Sequence, residues 1–593
     1  MLFRIVTLLI ANGLIAGCSL LPMNSDTASL EEGSDHQTAT YEADKNTIQA
    51  PSSPNYDKPF EAATLYSLLV AEVAGQRQQF DISLANYLDQ AQQTQDPGIA
   101  ERATRIAQYL GINEYILESA ILWVKIAPEE AQAHQTLALA YMKIGKFSSA
   151  LTHLEAVFNL VGASQFDFLA LNAQSLGNHE TLDLLHQIEE LTQKHNDYAP
   201  LWMAQGALLL QLEDYSAALT ALNQALSLRE SYVAAAISKA RVLHKLEQHE
   251  EALVLLDDLH EQLPKNKGIG VLRARILIDL KRFSEARAAF QYLAQQFPDD
   301  HSIQLSLGLL HIELAEYDQA IATLSPLTLH KNMADEAYFY LARIAESQED
   351  LPRAVRNYQS VQKGRQFLPA QYKAAQLLIE LKDINAARDY LTHRRSEFPD
   401  SNIELVQLEV ELLIQHELTL EAYQLVDTAL IESPDSTKLL YSRGLLAEKL
   451  GDLGQLERDL RHIIKLMPEN AEAINALGYT LADKTDRIDE AMVLIKQAIE
   501  LSPDNPAIID SLGWAYFRLG DLEKSAELLQ QAYKDFPDHE VAAHLGEVLW
   551  QLKRNDEAKS IWQQGLEQSP DSPIIKETLQ RLNLDSDFQS IPE

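Results

Sequence analysis

Ala218, Ala252, Ala286, Ala320 and Ala354 recur every 34 residues in unbroken register. A period in the mid-thirties with one small residue per period marks a stack of two-helix units. The small side chain belongs where two helices cross too closely for a larger one. A second series, Pro399, Pro434, Pro468, Pro503, Pro537 and Pro570, is spaced 33 to 35 apart. Proline cannot continue a helix and suits the break between units. The spacing predicts an all-α, right-handed superhelical solenoid whose units pack only on their neighbours.

The chain has 593 residues and a formal net charge of −37. Such an acidic surface repels phosphate backbones and argues against nucleic-acid binding. Cys18 is the lone cysteine, so no intrachain disulfide forms. Arg4 and the apolar run from Ile5 to Ala16 are too short for a membrane span and fit a secretory signal over 1–17. Ile15-Ala16-Gly17-Cys18 resembles the bacterial lipobox. The resemblance implies that Cys18 is the lipidated first residue of the mature chain, bearing palmitate and mooring it to a membrane. The other reading is an ordinary signal peptide that contains a cysteine. Ser19 rather than aspartate follows, which favours the outer membrane, facing the periplasm. Residues 19–59 carry four prolines and seven acids against Lys45 and Lys58. Residues 18–59 therefore read as a lipidated, disordered tether.

From residue 60 to 582 the pattern is helical, with divergent repeats over 60–130 and a regular array over 131–582. The unit is clearest at 506–538. Leu512, Gly513 and Tyr516 share the first helix, Gly520 ends it, Ser525 and Ala532 lie on the second, and Pro537 closes the unit. This resembles the tetratricopeptide repeat (TPR). Register gives about fifteen units from residue 61 onward. The unit at 166–198 is degenerate, with Leu185 in place of the small residue, and Leu456 replaces it at 437–470. Residues 484–487 read as a one-residue insertion in a turn, and 583–593 as a polar tail.

No pair of histidines has the helical spacing of a zinc site, and no nucleophile elbow or phosphate loop is present. No catalytic residue, metal site or cofactor is assigned, and the chain reads as no enzyme. Surfaces are more informative. Arg241, Arg275 and Arg343 hold equivalent first-helix positions, on the side expected to be concave. They form a ladder for an extended acidic or C-terminal peptide, or else pair with carboxylates inside the array. Trp514 holds that position further on, followed by Phe517 and Arg518. These are either interface anchors or core.

One segment goes further. Residues Leu65 to Arg77 (LYSLLVAEVAGQR) lead to Ala91–Pro97 (AQQTQDP) and Ala100–Ala107 (AERATRIA). This start resembles a family of gammaproteobacterial TPR outer-membrane lipoproteins that includes the lipoprotein binding partner of the carboxyl-terminal processing protease. The resemblance implies a scaffold that binds this periplasmic serine protease and its substrates, peptidoglycan hydrolases, and promotes their proteolysis. Leu65, Leu69 and Val73 have helical spacing and are expected to pack the first unit. Glu72, Gln76, Arg77 and Arg102 have no packing reason, and either cap the array or touch a partner. The alternative is a scaffold of the same fold for export or assembly of polysaccharide, pilus or outer-membrane protein.

Overall fold

The repeat seen in the sequence becomes, in the computed structural model, a succession of paired helices. The structure describes residues 60–584. The signal segment, Cys18, the tether and the tail from 585 onward lie outside the described residues. Among the described residues there are 31 α-helices and no strand. In chain order they fall into fifteen first-and-second helix pairs and a closing helix, Pro573–Arg581. The earliest pair, Ala62–Gln76 with Phe80–Thr94, already follows this plan. The described chain forms two compact bodies, 60–316 and 317–584. None of its helices is long and apolar enough to cross a membrane.

The alanine series is the fourth residue of each second helix. Tyr215–Leu228 places Ala218 there, and Leu351–Gln359 places Ala354. In thirteen of the fifteen second helices this residue is Ala, Ser or Thr; Ile116 and Leu456 are the exceptions. In the degenerate unit the position belongs to Thr181, which is fully buried, and not to Leu185. The register slips there because the first helix, Phe166–Asn172, is only seven residues long and runs into a 3-10 turn. Leu456 does occupy the position in its unit, facing Gly444.

Facing these small residues, first helices carry glycine where the second helix presses in. A Cβ on Gly513, in Pro506–Leu519, would lie 2.7 Å from Leu529 Cγ and 3.3 Å from its backbone nitrogen. Most turns inside the pairs use a left-handed residue, and this is glycine only in some. Glu213, Glu247, Lys281 and Glu417 take φ near +60°. The insertion at 484–487 is absorbed differently. The helix Ala471–Lys484 gains a residue, and Thr485 leaves it in extended conformation. All six prolines of the second series fall in breaks between pairs.

The C-terminal pairs are tied by a buried polar cluster. His544 Nδ1 lies 3.1 Å from both Asp510 carboxylate oxygens, and its Nε2 lies 3.2 Å from the Tyr479 hydroxyl. The Trp514 ring stacks on the imidazole at 4.3 Å. Burial alone would lower the His544 pKa. The Asp510 charge and hydrogen bond, aided by Asp483 and Glu547, outweigh it and raise the value. Buried Glu547 also receives both Arg581 Nη groups, which latches the closing helix.

Two consequences can be measured. Gly513→Ala forces Leu529 aside and is expected to cost about 1–3 kcal/mol, read as a lower urea midpoint. A histidine whose folded pKa lies above its unfolded value of about 6.5 contributes stability that is complete below that pH. It is lost as pH rises through the folded value. Melting temperature of the C-terminal pairs is therefore expected to fall from pH 6 toward pH 9. His544→Gln should flatten that slope, whereas an unchanged slope would assign it to another group.

Candidate functional site

The first helix, Ala62–Gln76, buries only Thr64, Ala71 and Ala74. Its larger apolar residues point outward. Leu65 is 55% exposed, Tyr66 70%, Leu69 63% and Val73 37%. This reverses the sequence expectation for Leu65, Leu69 and Val73. No earlier unit within the described residues covers that side, so the spacing produces an apolar stripe at i, i+4 and i+8 instead of a packed face. The polar members divide. Glu72 accepts hydrogen bonds from the Tyr87 hydroxyl and from Arg102 Nη2 at 3.1 Å. Burial and the Glu72 carboxylate push the Tyr87 hydroxyl up to about 12. Glu72 and Arg102 thus tie the first pair to the second, while Gln76 and Arg77 stay exposed.

The arginines of the expected ladder also divide. Arg241 and Arg275 belong to the first body and Arg343 to the second. Arg275 is engaged by a neighbouring group. Arg241 and Arg343 are half-buried, and neither side chain has a hydrogen bond or ion pair with another described residue. Trp514 is inside the fold, 6% exposed, and donates its indole N–H to Asp483 at 2.9 Å. Phe517 stacks on it at 4.7 Å, and Arg518 donates to the Asp483 carbonyl at 2.5 Å. The cluster joins the Ala471–Lys484 and Pro506–Leu519 helices, with Trp514 buried, Phe517 half-buried and Arg518 exposed.

A concavity in the second body is not anticipated by the sequence reading. It is a groove of about 980 Å³ crossing the starts of four successive first helices: Phe367–Leu381, Asn402–Gln415, Thr437–Lys449 and Ala471–Lys484. Leu368, Pro369, Phe398, Leu408, Ile463 and Ala473 give it an apolar lining. Lys363 and Arg365 stand at one end and Glu472 at the other, with Asp400 and the ion pair of Glu404 with Lys438 (3.0 Å) between them. Tyr441 also lines it, and its buried hydroxyl has no hydrogen-bond partner. Burial raises the pKa of that hydroxyl, so it is held as a donor.

Arg394 fixes the cationic end. It is buried, donates to the Val361 carbonyl (3.1 Å), Gln371 (3.0 Å) and Glu397 (2.6 Å), and lies 4.4 Å above the Phe398 ring. The backbone N–H of Gln362 donates to Asp335 at 2.7 Å. The loop 362–365 is thereby pinned at both its start and its base. The sequence signal was the pair Arg394-Arg395 ahead of Phe398, which period-reading passes over. Among the described residues no cluster of three or more His, Cys, Asp or Glu side chains is placed to hold a metal ion. An apolar trough with charged ends and a free hydroxyl donor suits binding of a chain segment.

Sequence models of the tetratricopeptide repeat family match residues 203–266, 277–344, 471–505 and 511–573. The TPR repeat-containing protein PA4667 of Pseudomonas aeruginosa is 42% identical over 514 residues, covering 86% of this chain and 87% of the relative. Among solved structures, the thermophilic TPR protein TTC0263 of Thermus thermophilus aligns with 30% of this chain and 96% of its own, at 22% identity and TM-score 0.27. The APC/C hetero-tetramer Cut9-Hcn1 aligns with 88% of this chain and 96% of its own, at 15% identity and TM-score 0.29. Paired helices, small crossing residues and a relative matched over most of both lengths agree: the chain belongs to the tetratricopeptide-repeat protein family.

Proposed function

We propose that the protein is a non-enzymatic scaffold, moored through a lipid on Cys18 to the outer membrane and facing the periplasm. It binds a carboxyl-terminal processing serine protease together with peptidoglycan hydrolases and promotes their proteolysis. The observation that carries this reading is the uncovered stripe of Leu65, Tyr66, Leu69 and Val73. It falls in the very segment on which the family resemblance rests. Apolar residues at helical spacing on an open helix face accept an apolar helix from a partner, much as a further repeat would pack. The groove of the second body is a separate surface for a second protein. With protease and substrate on one scaffold, their encounter becomes intramolecular, at an effective concentration in the millimolar range for short spans.

Reconstituted proteolysis tests the reading. Adding the protein to protease and hydrolase should accelerate degradation by roughly 10–100-fold. Leu65→Asp with Leu69→Asp should abolish co-elution with the protease yet hardly move the melting temperature, because both sites are exposed. A degradation rate indifferent to the protein would sink the adaptor reading and leave the export or assembly scaffold. Cys18→Ala should move the protein from the membrane pellet to the soluble periplasmic fraction. Continued pelleting would count against the lipid anchor.

A further inference from the structure

We infer that the groove of the second body binds an extended polypeptide segment with acidic side chains at one end and an apolar middle. The acids face Lys363 and Arg365, and Tyr441 donates its hydroxyl to the segment's backbone. This rests on the scaffold reading and specifies what one of its surfaces takes.

Charge is the first observation. The chain is acidic throughout, yet from Leu351 to Ile379 it carries five Lys or Arg residues and no acid. Arginines elsewhere in this body are mostly spent on carboxylates: Arg443 on Asp427 and Asp459, Arg487 on Glu457 and Glu490. The side chains of Arg343, Lys363 and Arg365 make no hydrogen bond or ion pair with another described residue. Of these, Lys363 and Arg365 line the groove. Unpaired cations in a protein of net charge −37 are a complementary patch for carboxylates.

Shape and hydrogen bonding supply the rest. The starts of four successive first helices at roughly 10 Å spacing make a trough about 30 Å long. An extended chain covers that in about eight or nine residues. The apolar floor rewards aliphatic side chains at alternate positions. The buried Tyr441 hydroxyl lacks a partner, and a donor in that state is costly unless a ligand supplies an acceptor. The far end, at Glu472, repels a second acidic run, which fixes where the acids lie. Lys363 and Arg365 are two separate cations, one on either side of Gly364 in an exposed loop. That spread suits several acidic side chains and not a single terminal carboxylate. A nucleic acid would place phosphates against Asp400 and Glu472 as well.

The test is fluorescence anisotropy of the full chain with a labelled peptide, Glu-Asp-Glu-Leu-Val-Phe-Leu-Ser-Ser. Saturable binding that weakens with salt is expected. Lys363→Glu with Arg365→Glu should weaken it about tenfold or more. A peptide with Lys in place of its three acids should recover binding to that double variant. Leu368→Glu should abolish binding, Tyr441→Phe should weaken it several-fold, and C-terminal amidation of the peptide should change nothing. Lys363 and Arg365 are exposed, and an unaltered melting curve for the double variant keeps the comparison clean. Absence of binding, indifference to the double variant, or loss of binding on amidation would each overturn the assignment. The titration contains no protease, so its failure leaves the scaffold reading standing. Failure of the reconstituted proteolysis likewise leaves a positive titration standing.

Discussion

Close approach of the two helices within each pair is the constraint from which the rest follows. In thirteen of the fifteen pairs it is met by a small residue at the fourth position of the second helix, and in places by a glycine opposite. Where that contact is made, the larger apolar residues on both helices interlock, as Leu529 does over Gly513. Its cost is intolerance. A methyl group at such a glycine has nowhere to go, since its neighbours include backbone as well as side chain. The contact is also local. The principal helix–helix contacts join elements adjacent or next-but-one in the chain. Stability therefore accumulates pair by pair, and a surface residue far from a crossing can change without disturbing it.

The paired-helix plan was legible because the crossing residue and the interpair proline repeat at fixed spacing. What spoiled register elsewhere was local shortening. The seven-residue helix Phe166–Asn172 moved the small position from the counted Leu185 to Thr181. The turns within pairs gave little signal, since their left-handed position is often filled by Glu or Lys instead of glycine. At Trp514 the sequence left anchor and core open, and geometry chose core, because Asp483 lies 31 residues earlier and one turn of the stack away. At Leu65, Leu69 and Val73 the opposite happened. Helical spacing shows which residues share a face, but it says nothing about whether another element lies against that face.

The same limit explains why the groove was missed. Pairing of a cation is decided across the stack, at separations of 16 residues for Arg443 with Asp459 and 30 for Arg487 with Glu457. From sequence alone an arginine that is spent and one that is free look alike. The ladder of Arg241, Arg275 and Arg343 was drawn from register, and the structure separates its members by their surroundings. Arg241 and Arg343 are half-buried with no side-chain hydrogen bond or ion pair among the described residues, whereas Arg275 is engaged. The trough itself owes its form to Arg394, a buried guanidinium holding a loop carbonyl, an amide and a carboxylate together.

An array built from neighbour contacts is poorly suited to passing a conformational signal along its length, because its principal contacts do not link distant pairs directly. It is well suited to holding separate partners on separate faces, each face depending only on its own few helices. The apolar stripe depends on the first pair and its Glu72–Arg102 tie. The groove depends on the helices between Ala334 and Lys484 and on the Arg394 contacts. Coupling between two such sites would require a two-state element that both ligands bias. Pairwise packing of this kind does not call for one, whereas common tethering needs only that both sites be on one chain.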